Sequence, residues 1–397
     1  MRVLFVHNYY RSGTPSGENQ AVDEDALMLT DRGIEVSMLT RRSDELVGTS
    51  YPSGARLLEA ALGPVWSTSS ADALSQVLSL SRPDIVHIHN VFPLLGPAVV
   101  KVAMDAGVPI VHTVHNYRHT CMNGLHFRDG HVCLDCESRR SGWPGVVHAC
   151  YQNSRPKSMP MFLSSALHAA RWRQLNAYIT LTPYMKTHLI EAGFPPERIH
   201  LRPTPVRSST EAIIDPPGTG RVLYLGRLEE AKGVRLLLDA ASQLKSGRLV
   251  AFAGSGALQQ EVQRAAATGG NVSYLGNLSL RAVEQALDQS DVLAVPSLCL
   301  EGFPRVVSQA FSRGRAVMTV DGGSVASIVT AEVGWTCPPD ATSLAKAIDA
   351  MSSIEVVRRG ASARRRFERD CSPEVAFPRL VSIYRLAQSG VSRVDPA

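Results

Sequence analysis

One pattern occurs twice in this chain, and it leaves few folds open. "RVLFVHN" (2–8) and "RVLYLGR" (221–227) echo each other, each a short apolar run that ends in polar residues. Behind the first come "IEVSMLT" (34–40), "DIVHIHN" (84–90), "PIVHTVHN" (109–116) and "AYITLTP" (177–183). Behind the second come "LVAFAGSG" (249–256), "NVSYLGN" (271–277), "DVLAVPS" (291–297) and "RAVMTVDGG" (315–323). Helix-length amphipathic stretches separate them, such as "ENQAVDEDALMLTDRG", for which Gly33 is a stop signal. Alternation of this kind predicts parallel sheets with crossover helices. The stretch "PTPVRSSTEAIIDPPGTG" (203–220) reads as a linker by its Pro, Ser, Thr and Gly content. With 397 residues, two domains are expected. The fold class is therefore α/β, with two doubly wound Rossmann-like parallel-sheet domains facing a central cleft. Ligands of such sheets bind at the strand carboxyl ends. The expected domains are residues 1–205, with a Cys-rich insert at about 117–160, then 206–375, then a C-terminal helix and tail at 376–397.

Composition excludes several classes. At 44% apolar and 19% charged residues, the chain is neither disordered nor fibrous. No stretch reaches the length of uninterrupted apolar residues a membrane span needs; "PAVVKVAMDAGVPIVHTV" (97–114) is broken by Lys101, Asp105 and Pro109. The first apolar run is too short and poorly flanked for a signal peptide, so a cytoplasmic location is expected. A net charge of +5 is too mild to imply nucleic acid. The basic stretch "RRGASARRRFER" (358–369) reads as a solvated helix face, or as a peripheral contact with an anionic membrane at its inner surface.

Three loops in the second half follow strands. "GRLEEAKGV" (226–234) places Arg227 and Lys232 about a strand-to-helix turn, an arrangement suited to a diphosphate at a helix N-terminus. "GSG" (254–256) opens a helix. "EGFPRVVSQ" (301–309) puts a lone carboxylate before a helix that can begin at Pro304, where a missing N–H costs nothing. A loop carboxylate there can accept hydrogen bonds from sugar hydroxyls or act as a helix cap. "DED" (23–25) has the look of a metal motif but lies within a helix-patterned stretch, and reads as a solvated face.

Over essentially residues 1–385, this combination resembles the retaining glycosyltransferases of family 4, which have the two-domain GT-B fold. "GRLEEAKGV" is similar to the family's Arg–Lys diphosphate clamp, "EGFPRVVSQ" to its Glu-x7-Glu element, and "SGE" (16–18) to its glycine loop. "VHTVHN" (111–116) places His115 where the family keeps a His near the donor sugar. The resemblance implies that Glu301 holds donor-sugar hydroxyls while Arg227 and Lys232 neutralise the leaving diphosphate. His115 would orient the sugar and stabilise the oxocarbenium charge. Ser16, Gly17, Glu18, Gly254, Leu275, Gly302, Phe303, Pro304 and Gln309 would line the substrate. Gln309 stands where the family has a second Glu, against the nucleotide ribose. Its amide still offers an acceptor and a donor, but charge assistance worth roughly 1 kcal/mol is lost. Ser327, in "DGGSVASIV" (321–329), likewise stands where relatives often carry Glu. The implied partners are a nucleoside-diphosphate sugar and a hydroxyl-bearing acceptor on a polysaccharide, glycolipid or secondary metabolite. No cofactor is implied for catalysis. The rival readings are a GT-B sugar-nucleotide epimerase and a non-catalytic sugar-nucleotide-binding protein.

Four of the seven cysteines, Cys121, Cys133, Cys136 and Cys150, fall within thirty residues. Their number suits a structural zinc site, with His126, His131 or His148 as substitute ligands. Free thiols, or a redox or iron–sulfur role, are the other readings. Cys299, Cys337 and Cys371 have apolar neighbours and read as core. In "SMPMFLSSALHAARWRQL" (158–175), Trp172 lies between Arg171 and Arg173 and reads as core plus surface, or as a meeting point for an acceptor or membrane.

Overall fold

A computed structural model describes residues 1–13, 16–46, 61–208 and 214–390. Its contacts divide the chain into two units. The first contains residues 1–126, 133–202 and 376 onward; the second contains 127–132 and 203–375. Residues 209–213 of the expected linker and 391–397 of the expected tail lie outside the described residues.

In the first unit, β1 (Arg2–Tyr9), β2 (Glu35–Arg42), β3 (Ile85–Ile88), β4 (Ile110–Thr113), β7 (Ala177–Thr180) and β8 (Ile199–Leu201) form one sheet. Its order is β2-β1-β3-β4-β7-β8, and every pair is parallel. A two-residue hairpin, β5 (Phe127–Arg128) with β6 (His131–Val132), interrupts the chain between β4 and β7.

The second unit's sheet holds β9 (Val222–Leu225), β10 (Val250–Ala253), β11 (Val272–Tyr274), β12 (Val292–Val295), β13 (Ala316–Val320) and β14 (Gly334–Cys337). Its order, β11-β10-β9-β12-β13-β14, is the Rossmann order, again all parallel. Alternate residues serve opposite faces. Val222, Tyr224, Val292 and Ala294 pack into one core cluster, and Leu223, Leu225, Leu293 and Val295 into the other. Helices cover both faces, so these strands read as unbroken apolar runs instead of alternating ones.

All ten expected strands form. Among the described residues, four further strands escaped the sequence, namely β8, β14 and the two short hairpin strands. β8 has three residues and leaves Leu201 partly exposed. β14 begins at a glycine, where a Cβ would lie 1.8 Å from the Val317 carbonyl oxygen, so its opening residue is chosen for close approach and not for strand propensity.

The expectation of a solvated face for "DED" fails at Asp25. The helix Gly17–Thr30 forms, but Asp25 is 3% exposed and accepts from both terminal nitrogens of buried Arg202, at 3.0 and 2.6 Å. Asp23 accepts from the Tyr9 hydroxyl. Asp23 is exposed as expected, and Glu24 is half-buried. A buried carboxylate this close to an arginine satisfies both charges, and removing either partner alone would cost about 3–5 kcal/mol. The basic run 358–369 lies on helix Ser353–Asp370 and is partly neutralised along its own length. Arg359 pairs with Glu355, Arg364 with Glu368 and Arg366 with Asp370, all at i,i+4 spacing. Among the described residues, no helix is long and apolar enough to cross a membrane.

Candidate functional site

In the second sheet the strand order reverses between β9 and β12, and the loops leaving those two strands carry the charged candidates. The loop after β9 holds Arg227 and Lys232; the loop after β12 holds Glu301. Backbone bonds fasten them together, with Leu298 and Cys299 N–H both donating to the Ala231 carbonyl at 2.9 and 3.1 Å. The approach is close enough to demand glycine. Gly233 has φ +71°, and a Cβ there would lie 1.9 Å from the Pro296 carbonyl oxygen. Gly254, after β10, is under the same constraint, 1.9 Å from the Gly226 carbonyl oxygen.

On this scaffold Lys232 donates to the Glu301 carboxylate, which also accepts from the Ser297 hydroxyl. Burial alone would lower the Lys232 ammonium, but Glu301 and the nearby Cys299 thiol outweigh it, and the net shift is upward. Lys232 is therefore a fixed cation. Arg227 is 37% exposed and holds Glu229 at 2.8 Å. Gly302 and Pro304 are buried, and Phe303 packs against the core beneath. Pro304 is the N-cap of helix Arg305–Ser312, which thus begins one position later than the sequence suggested, and no side chain caps that end. Gln309 lies half-buried on the same helix. Leu275 follows β11 and is 39% exposed. Ser327 is used locally, its hydroxyl donating to the Ser324 carbonyl at 2.6 Å. The geometry thus brings Arg227, Lys232, Gly254, Leu275, Glu301 and the 302–304 turn to one edge of one sheet.

The first unit has its own site, a cavity of about 1010 Å3. Ser16 caps helix Gly17–Thr30 by accepting from the Asn19 N–H, and Gly17 is exposed at its first turn. Glu18 turns inward. Its Oε2 accepts from the Tyr10 hydroxyl at 3.2 Å and the Asn116 amide at 3.3 Å, while Oε1 is buried with no partner. Burial pushes the carboxyl up to about 7, against the opposing pull of Arg118.

His115 follows β4, and its Nε2 lies 3.0 Å from Nδ1 of His89, with the rings stacked. Burial, then the neighbouring His7, His112 and Arg202, hold the His115 imidazole well below its ordinary range. It is neutral at physiological pH, so it adds no positive charge to the cavity. Its shared bond with His89 fixes the ring. His89 is 2% exposed, and its Nε2 has no partner although the residue lines the cavity. Trp172 is also in the wall, packed on His112 and His119 with ring centroids 5.1 and 5.2 Å away, so it is both core and cavity lining.

His89, Asn116 and Arg118 were missed in the sequence. For His89 and Asn116 the signal is the dipeptide His-Asn, which stands at or just beyond the ends of three strands of this sheet, at 7–8, 89–90 and 115–116. Each pair turns polar atoms onto one sheet edge. Asn8 accepts from Leu94 N–H at 3.1 Å, and Asn90 donates to the Asn8 carbonyl at 3.2 Å.

Zinc on the four cysteines is not supported. The four cysteines form no disulfide and are half-buried, and no three of them gather into a ligand set among the described residues. Each has other company. Cys121 donates to Asn123 at 3.0 Å, and Cys150 packs against Met122, Val146 and Met161. Burial raises the Cys136 thiol, and the Cys121 and Cys133 thiols beside it add to the shift, so the protonated form is favoured over the ligand form.

Comparison with known proteins covers nearly the whole chain. Residues 16–205 match the model of the "Glycosyl transferase 4-like domain", and residues 211–369 that of "Glycosyl transferases group 1". A glycogen synthase of Mycobacterium tuberculosis is 24% identical across all of this chain and 97% of its own length. A D-inositol 3-phosphate glycosyltransferase of Rhodococcus erythropolis is 25% identical across 81% of this chain and 75% of its own. Among solved structures, the sucrose-phosphate synthase of Thermosynechococcus elongatus superposes with a TM-score of 0.70 at 17% identity, covering 98% of this chain and all of its own. The Anabaena protein HepE, solved with UDP and glucose, gives a TM-score of 0.63 at 16% identity over 96% and 98%.

Proposed function

This chain belongs to the family 4 glycosyltransferases, with the GT-B fold and a nucleotide-sugar donor, and we propose that it is a retaining enzyme whose donor diphosphate lies against Arg227 and Lys232. One observation carries the reading: Arg227, Lys232 and Glu301 meet at the carboxyl ends of β9 and β12, where the strand order reverses. The N-terminus of helix Arg305–Ser312, which no side chain caps, follows directly behind Glu301 in the chain. A UDP-sugar is the first donor to try, because HepE was solved with UDP and glucose.

In the proposed reaction the bond from the anomeric carbon to the diphosphate breaks, and its electron pair leaves with the diphosphate. Arg227 and Lys232 stabilise that charge. The acceptor hydroxyl attacks from the leaving-group face, its oxygen bonds to the anomeric carbon, and its proton passes to a donor phosphate oxygen. Glu301 holds sugar hydroxyls during the change. Lys232 now occupies it, so binding exchanges an internal ion pair for contacts with both ends of the donor. Neutral His115, fixed by His89, orients the sugar. The cavity of the first unit, with Arg118, Arg140 and Arg173 in its wall, is assigned to the acceptor.

The amide at position 309 supplies the test. If it faces the ribose, Gln309→Glu should tighten donor binding several-fold in calorimetry. Single-turnover rates should hardly change, because that contact is equal in ground and transition states. Loss of binding would mean that the pocket is built around a neutral side chain.

A further inference from the structure

Beside the cavity of the first unit, His126, Glu137 and His188 converge from three segments. His126 immediately precedes β5, Glu137 is on the short helix Asp135–Ser138, and His188 is on helix Pro183–Glu191. One nitrogen of each imidazole and one carboxylate oxygen lie within 4.8 Å of one another. The carboxylate spans the pair, Oε2 lying 3.8 Å from His126 Nε2 and Oε1 3.8 Å from His188 Nδ1. The histidines are 1% and 5% exposed. Glu137 and Thr120 reach the cavity wall, which gives an ion a way in.

Counting hydrogens shows what is missing. His126 Nδ1 is 3.0 Å from the Cys133 carbonyl, which can only accept, so Nδ1 carries the proton and Nε2 is bare. Metal-bound histidines are held in this way by a second partner. The Thr120 hydroxyl lies 3.0 Å from His126 Nε2 and 2.7 Å from His188 Nε2. The same hydroxyl donates its one hydrogen to the Tyr117 carbonyl at 3.2 Å, so it has none for His126 Nε2 and accepts from His188 Nε2–H. That leaves the His188 Nδ1 lone pair facing a carboxylate. It also leaves Glu137 Oε2, a buried oxygen with no hydrogen-bond partner, facing the His126 side. Electron-rich atoms turned on one another need a cation. The backbone at His126 is itself held at φ +47°, uncommon for a residue other than glycine, so its ring is aimed at some local cost.

We propose that His126, Glu137 and His188 bind one divalent transition-metal ion. Two neutral imidazoles and a carboxylate form a donor set that suits zinc. The ion would staple the cysteine-bearing segment to helix Pro183–Glu191. It takes no part in the transfer chemistry, so its fate is independent of the donor-site reading.

The full chain, freed of metal by a chelator, should bind one equivalent of Zn2+ in calorimetry and melt at a higher temperature with it. Co2+ should give d–d bands without the charge-transfer band of a cobalt–thiolate bond. Glu137→Gln and His188→Gln should each weaken Zn2+ at least tenfold, while Cys133→Ser with Cys136→Ser should leave it unchanged. A thiolate charge-transfer band, loss of binding in the cysteine variant, or wild-type affinity in both ligand variants would overturn the assignment.

Discussion

Arg227→Ala should slow sugar transfer by about two orders of magnitude, as expected for one lost contact to developing negative charge. The same substitution should scarcely alter the melting temperature. Arg227 is 37% exposed, and its pair with Glu229 is of the kind worth less than about 1 kcal/mol. Glu301→Gln should behave differently. It removes the partner of a largely buried lysine, with Lys232 only 17% exposed, so stability should fall along with turnover. Single-turnover kinetics beside thermal melts separate the two cases. Unchanged turnover in Arg227→Ala would sink the diphosphate assignment.

The second large effect concerns acid. Acidification from pH 7 to pH 5 should destabilise the first unit selectively. All twelve histidines lie between positions 7 and 200, and His131 is the only one in the second unit. Burial, above all, lowers His7 and His112 to about 4, and His87, His89, His115 and His119 well below the ordinary value. An unfolded histidine takes a proton near pH 6.5, whereas these folded ones refuse it. Their stabilisation is therefore complete above that pH and is lost as the pH falls from 6.5 towards the folded values. At pH 5 the loss is about 2 kcal/mol for each of His7 and His112. Glu18 acts in the opposite sense. Its carboxyl, raised to about 7 chiefly by burial, favours the folded state as it protonates, and offsets roughly one histidine's share. Calorimetric scans across this range should show the first unit's transition moving down while the second's stays. A first transition that holds its temperature to pH 5 would mean that these rings are protonated within the fold.

The buried sheets were legible in the sequence because strands covered on both faces are continuous apolar runs, and ten such runs stand out against polar loops. The second unit's candidate site was legible for a related reason. In a parallel sheet every strand's carboxyl end lies on one edge, so Arg227, Lys232 and Glu301 share an edge once their strands are recognised. The first unit's cavity was harder to read. His89 sits at the end of an apolar run where a histidine passes for core, and its relation to His115 depends on which strands are neighbours. "DED" misled because helix amphipathicity does not reveal a buried charge whose partner, Arg202, lies 177 residues away. The cysteine count misled because ligand number without geometry cannot distinguish four thiols in a row from four around one point. There the fold gathers two histidines and a glutamate instead.

The most direct measurement of the central claim is the thermal shift of the wild-type chain and Lys232→Ala with UDP-, GDP-, ADP- and dTDP-sugars. One donor, at about 100 times its dissociation constant, should add roughly 2.7 kcal/mol to the wild type, a rise on the order of 5–10 °C. The variant should show little or none of it at the same concentration. Equal shifts in both proteins, or no shift with any sugar nucleotide, would contradict a donor site built on Arg227, Lys232 and Glu301.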